Sequence, residues 1–74
     1  MTKTYKVPKG STALKPIPYP HGGVELSFLN AGGKVVAVFR INDDVVMQQP
    51  LPLPSDVTHI RVVADKNVLV ECVS

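Results

Sequence analysis

Apolar and polar residues alternate along much of this 74-residue chain with the two-residue period of β-strands. Val, Ile, Thr and Phe are prominent in these stretches, while seven prolines and five glycines interrupt them. No stretch has the 3.6-residue period of an amphipathic helix. The pattern predicts six short strands, over residues 4–7, 24–29, 34–41, 45–49, 58–64 and 68–73.

The segment NAGG, residues 30–33, has the composition of a hairpin turn between the second and third strands. A four-residue loop there pairs Leu29 with Lys34 and places Val24 opposite Phe39. Apolar side chains then share one face, so Phe28 and Phe39 are expected in the core.

The segment DKN, residues 65–67, suits a three-residue hairpin loop between the fifth and sixth strands. That hairpin pairs Ile60 with Cys72 on an apolar face. On the reverse face it places Arg61 opposite Glu71, a favourable pair of opposite charges.

Two stretches, residues 15–20 (KPIPYP) and 49–54 (QPLPLP), alternate proline with another residue. A polyproline ligand repeats every three residues, so this spacing fits an extended strand better. Alternate prolines remove the N–H donors from one side of a strand and leave them on the other. The stretches are interpreted as blunted edge strands or extended crossovers, with rigid linkers as the alternative. Each stretch precedes a predicted hairpin, which gives two similar units, residues 16–41 and 50–73. The similarity reflects either an internal duplication or two segments that reached the same pattern independently.

These elements predict an all-β fold: a small antiparallel β-barrel or sandwich of about five to six short strands, joined as a meander of hairpins, with no significant helix. A chain of this size buries only about 60% of its unfolded surface, which makes a partner subunit an expected source of stability. Some apolar residues fall on outer faces and are predicted to form an oligomer interface: Val36, Val38, Val63, Leu69 and Val73.

Charge divides the chain into a basic N-terminal arm with a short edge strand, residues 1–15, and a single β domain, residues 16–74. The arm has four lysines and no acid, whereas the domain has four cations and six acids, so +4 and −2 give the net +2. The arm and the segment that follows it supply the candidate binding residues: Lys3, Tyr5, Lys6, Lys9, Lys15, Tyr19 and His21. Basic and aromatic side chains of this kind can bind nucleic acid or an acidic protein surface. The alternative is a terminus that contacts only solvent and has no binding role.

Catalytic chemistry is not indicated by the remaining polar residues. Cys72 is the only cysteine, which excludes a disulfide within the chain, and it is expected to point inward. His59 falls on an outer face, and Asp43 and Asp44 have ordinary turn chemistry. No metal, cofactor or enzymatic activity is therefore expected.

The N-terminus has no signal-peptide pattern and no window is apolar enough to span a membrane, so a cytoplasmic protein is expected. The sequence favours a non-enzymatic β module for protein–protein binding or assembly, a role common among small virus or phage accessory and structural proteins. The alternative is a small barrel that binds single-stranded nucleic acid or RNA through the lysine-rich arm.

Overall fold

A computed structural model describes residues 2–17, 22–42, 49–65 and 67–74. These residues form seven β-strands and no helix. The strands are β1 (Thr2–Lys6), β2 (Ala13–Ile17), β3 (Val24–Leu29), β4 (Val35–Ile41), β5 (Leu51–Pro52), β6 (His59–Ala64) and β7 (Leu69–Val73). The all-β prediction is therefore confirmed. Five of these strands correspond to predicted strands, and β2 and β5 overlap the two proline stretches.

The strands form two antiparallel sheets. The first sheet has the order β1-β6-β3-β4, and the second has the order β5-β2-β7. Only β3 and β4 are both consecutive in the chain and paired with each other, so the predicted meander is wrong for the described strands. No closed barrel is found among them, because each sheet ends in unpaired edge strands.

Both sheets contribute side chains to one hydrophobic core. Alternation along β3 and β6 directs every second side chain inward, and β2 contributes Leu14 from the other sheet. The buried members are Leu14, Val24, Leu26, Phe28, Ile41, Val57, Ile60, Val62, Ala64 and Val68. Cys72 packs against this cluster, as predicted from its inward position.

The predicted hairpin over residues 24–41 is confirmed, but its register differs. Val24 lies opposite Ile41 instead of Phe39, and a bulge interrupts the ladder next to Phe28. The side-chain oxygen of Asn30 accepts hydrogen bonds from the backbone N–H groups of Gly32 and Lys34, both at 3.0 Å. These hydrogen bonds close a loop over residues 30–34, one residue longer than predicted.

Phe39 is not a core residue, contrary to expectation: 40% of it is exposed. The reason is its position on β4, the outermost strand of the first sheet. No described strand lies beyond β4, so the inward-facing side of Phe39 is only partly covered.

The second predicted hairpin does not form. Both edges of β6 are occupied, by β1 and β3, while β7 pairs with β2 in the other sheet. Ile60 and Cys72 therefore contribute to the same core from different sheets rather than from neighbouring strands. The pairing of Arg61 with Glu71 is also wrong, because Arg61 lies opposite Thr4 and Ser27. The same alternation of inward and outward residues fits a β6–β7 hairpin and also fits two strands in separate sheets. The sequence pattern therefore could not distinguish them, and the hairpin was the simpler prediction.

Both proline stretches contain part of a strand. The edge-strand interpretation is wrong for the first stretch, because β2 is the central strand of its sheet, between β5 and β7. Since Pro52 has no N–H, its pairing with Ala13 is the non-bonded kind, and Leu14 with Leu51 is the hydrogen-bonded pair. The Leu53 N–H donates to the Thr12 carbonyl at 2.9 Å. The donors next to the prolines thus face β2, and the outer edge of β5 is left with prolines, as the blunted-edge interpretation predicts.

Several predicted features fall outside the described residues. They are Pro18, Tyr19, Pro20 and His21 of the first proline stretch, Asp43 and Asp44, and all of the predicted fourth strand except Gln49. The division at residue 15 remains a prediction, although that boundary falls inside β2.

Candidate functional site

The edge strand β4 carries four of the seven large hydrophobic residues that are exposed in the described chain. Seven residues long, β4 pairs with β3 on one side and with no described strand on the other. Its exposed apolar residues are Val35, Val36, Val38 and Phe39. An unpaired apolar strand edge presents both backbone hydrogen-bonding groups and hydrophobic side chains to a partner.

Of the other three sheet edges in the described structure, β5 and β1 are better protected than β4, whereas β7 carries a single charged residue, as β4 does. Prolines occupy the outer side of β5, Lys3 and Lys6 lie on β1, and Glu71 lies in the middle of β7. Prolines and charged side chains are common devices against edge-to-edge association. Arg40 is the only charged residue of β4, and its side chain bonds to a residue of the neighbouring strand β3.

Arg40 forms an ion pair across the β3–β4 hairpin. Its Nε donates to Glu25 Oε2 at 2.9 Å. Both side chains are largely solvent-exposed, so the pair adds little to stability, but it directs the guanidinium group toward β3. The free edge of β4 is thus left mainly to apolar residues.

The five predicted interface residues divide between the two sheets. Val38 and Val63 lie on the outer face of the first sheet, meaning the face turned away from the core, and Val36 lies at the bulge of β4. Leu69 and Val73 belong to β7 in the second sheet, where Leu69 is 49% exposed and Val73 is half-buried. The structure therefore places the two β4 valines, but not all five residues, in one patch.

The candidate binding residues of the arm also separate. Lys3 Nζ donates to the side-chain oxygen of Asn67 at 2.9 Å. The Tyr5 hydroxyl donates to the Val68 carbonyl at 3.2 Å, and the half-buried ring packs against the core. Lys15 lies in β2, opposite Glu71 in the register.

Lys6 and Lys9 are the two arm lysines that the fold brings to a common cleft. It lies between the link from β1 to β2 and the link from β5 to β6, and has a volume of about 520 Å³. Ser55, Val57 and Thr58 line it from the second link. Sequence reasoning missed these three residues because about fifty positions separate them from the lysines and only the fold brings them together.

Reactive groups are sparse in the described part of the chain. Burial raises the pKa of the Cys72 thiol above its ordinary value, although a hydrogen bond from Ser11 opposes the shift. A thiol with a raised pKa is a weak nucleophile at neutral pH. The described residues contain no group of three His, Cys, Asp or Glu side chains placed to hold a metal ion. Nor do they include a helix long and apolar enough to cross a membrane.

Comparisons of the chain with protein-family models, with curated proteins and with solved structures give no match.

Proposed function

We propose that this protein is a non-enzymatic β module that assembles with further copies of itself through the β4 edge. The observation that carries the proposal is the run of exposed apolar residues on an unprotected edge strand, with Val38 at its centre and 46% exposed. The two sheets act as a small sandwich that presents this edge.

Edge-strand association supplies two stabilising contributions at once. A second strand would bond to the outward N–H and C=O groups of β4, each bond contributing about 0.5–1.5 kcal/mol net. It would also cover valine side chains, at about 25 cal/mol per Å² of apolar surface. A small domain with a marginal core benefits from both contributions.

The N-terminal arm has a secondary role in this proposal. β1 lies at the opposite edge of the first sheet from β4 and pairs with β6 of its own chain. Its exposed Lys3 and Lys6 protect that edge against strand addition. Assembly is thereby directed to β4, which favours closed dimers over open-ended stacks of sheets.

A charge placed on β4 tests the proposal. Val38→Glu puts a carboxylate in the apolar edge and should shift the protein to its monomeric mass at concentrations where the wild type associates. Thr4→Glu is the matched control, since Thr4 is an exposed residue on β1, and it should associate like the wild type. Light scattering gives the mass and circular dichroism confirms the fold. Equal masses for Val38→Glu and the wild type, with both folded, would refute the β4 interface.

Binding of single-stranded nucleic acid is the second candidate function, and one observation favours it. Lys6, Arg61 and Arg40 lie on the outer face of the first sheet, where Glu25 is the only described acid. Phosphate contacts of this kind weaken steeply with salt. A fluorescent oligonucleotide should then bind at low salt and dissociate at high salt, and the combined change of Lys6 and Arg61 to Ala should abolish binding. No binding at low salt would exclude this function.

A further inference from the structure

The cleft beside Lys6 and Lys9 combines charge, hydrogen-bond donors and an apolar floor. It lies between the two segments that connect the sheets, is open to solvent on one side, and has a volume of about 520 Å³. Its polar wall includes Lys6, Lys9, Gly10 and Ser55, and its apolar floor includes Leu53 and Val57.

The donors of the cleft are unoccupied within the described structure. Neither Lys6 nor Lys9 forms an ion pair with a described residue. The backbone N–H groups of Lys9 and Gly10 and the hydroxyl of Ser55 have no hydrogen-bond partner in the described part of the chain. No acid lines the cleft, although the exposed Asp56 follows Ser55 in sequence.

Apolar side chains form the inner surface of the same cleft. Val57 is buried in the hydrophobic core, and Val7 and Leu53 are partly buried against it. A ligand that only carried charge would leave this surface exposed to water. The lining therefore suits a molecule with a charged end and an apolar body.

Backbone hydrogen bonds hold the two walls in place. The Val7 N–H donates to the Thr58 carbonyl at 2.8 Å, which ties the first wall to the second. The Pro8–Ser11 turn is closed by the Ser11 N–H, which donates to the Pro8 carbonyl at 3.2 Å, and it needs the positive φ of Gly10. The donors are thus presented by a preformed turn rather than by a free terminus.

We propose that this cleft binds a small phosphate monoester whose ester group is apolar. The lining residues supply two ammonium groups, two N–H groups and one hydroxyl, which are the kinds of donor that the three oxygens and negative charge of a phosphate monoester require. The apolar floor accommodates the ester group. This site goes beyond the proposed assembly function and does not depend on it, because no residue of β4 lines the cleft.

Phenyl phosphate is the probe for the first experiment. In a titration followed by amide chemical shifts, the resonances of Lys9, Gly10 and Ser55 should move and saturate. Inorganic phosphate should bind at the same place more weakly, and benzyl alcohol should not produce saturable shifts. Shifts that fail to saturate with phenyl phosphate, or that spread over all lysines, would overturn the proposal.

Lysine variants separate a specific site from general charge attraction. Lys6→Ala combined with Lys9→Ala should weaken phenyl phosphate binding about tenfold or more, because it removes both ammonium groups that would bond to the phosphate oxygens. The control combines Lys3→Ala with Lys34→Ala, which removes the same charge away from the cleft and should keep the wild-type affinity. If Lys6→Ala in β1 destabilises the fold, Lys9→Ala alone still tests the site, because Lys9 lies in the link between β1 and β2. It too should weaken phenyl phosphate binding. Equal weakening in the test and control variants would contradict a specific site.

Val38→Glu keeps this test independent of the assembly proposal. The variant should bind phenyl phosphate like the wild type even when its association is lost. A longer oligonucleotide that binds the cleft residues while phenyl phosphate does not would also overturn the small-molecule assignment and favour nucleic acid.

Discussion

Leu14 is the largest fully buried side chain of β2, with no exposed surface, and it joins the second sheet to the common core. Leu14→Ala should lower the free energy of unfolding by about 2–5 kcal/mol, since it removes buried apolar surface and leaves a cavity. Leu69→Ala is the control at a half-exposed site and should cost less than about 1 kcal/mol. Urea denaturation measures both changes. Equal costs would mean that Leu14 does not join the two sheets.

Asn30 organises the β3–β4 loop with its side-chain oxygen, which accepts two backbone hydrogen bonds. Asn30→Ala removes that acceptor and should destabilise the protein by about 1–2 kcal/mol. Asn30→Asp keeps an oxygen at the same position and should cost much less. Thermal unfolding distinguishes them. If Asp and Ala cost the same, the two hydrogen bonds do not stabilise the loop.

Cys72 makes the stability of the protein sensitive to alkaline pH. Because burial raises the pKa of its thiol, the folded state holds the proton more tightly than the unfolded state does. This contribution to stability is complete below the thiol's ordinary pKa and is lost as pH rises through the raised value. Cys72→Ala should lose this alkaline dependence in pH-resolved urea denaturation. A wild-type profile that matches the variant would contradict the raised pKa.

At the scale of elements, the positions of strands could be predicted from the sequence and several of their partners could not. The prediction for β3 matches its observed bounds, and β4, β6 and β7 each begin one residue later than predicted. Alternation reports which face of a strand is buried, and this is the same whether the opposing side chains come from a neighbouring strand or from another sheet. The β6–β7 pairing was therefore wrong although the inward residues were right.

At the candidate site, too, the exposure of side chains could be predicted from the local sequence, whereas the position of the strand in its sheet could not. Exposure of Val36 and Val38 followed from alternation and is observed. The edge position of β4 depends on the strand order, and a bulge beside Phe28 shifts the register of the hairpin. Neither leaves a signal in the local pattern of apolar residues, so the exposed side of Phe39 could not be predicted.

Prolines give β5 an edge that cannot be extended, and replacing them should reverse this. Pro52→Ala combined with Pro54→Ala restores two outward N–H groups and should increase self-association while the fold is kept. Pro8→Ala, in the link between β1 and β2, is the control and should leave the mass unchanged. Sedimentation velocity measures the association. An unchanged sedimentation profile in the double variant would mean that the prolines do not protect this edge.

At the scale of the whole molecule, the four sheet edges that the described strands form differ in what they offer a partner. Four of the seven β4 residues are exposed and apolar, more than on β1, β5 or β7, so we expect association through this edge. An apolar strand interface should survive high salt, because salt screens charges and does not weaken hydrophobic contacts. Association driven by the basic arm should instead weaken with salt.

The solution mass of the wild-type protein over a dilution series, at low and at high salt, tests the β4 interface without any substitution. Light scattering with absorbance detection of nucleic acid measures it. We expect a species of twice the 8.0 kDa chain mass that persists in high salt and dissociates on dilution. A larger mass that contains nucleic acid and disappears at high salt would instead support nucleic-acid binding by the basic residues on the outer face of the first sheet. A mass of 8.0 kDa at every concentration would contradict assembly through β4.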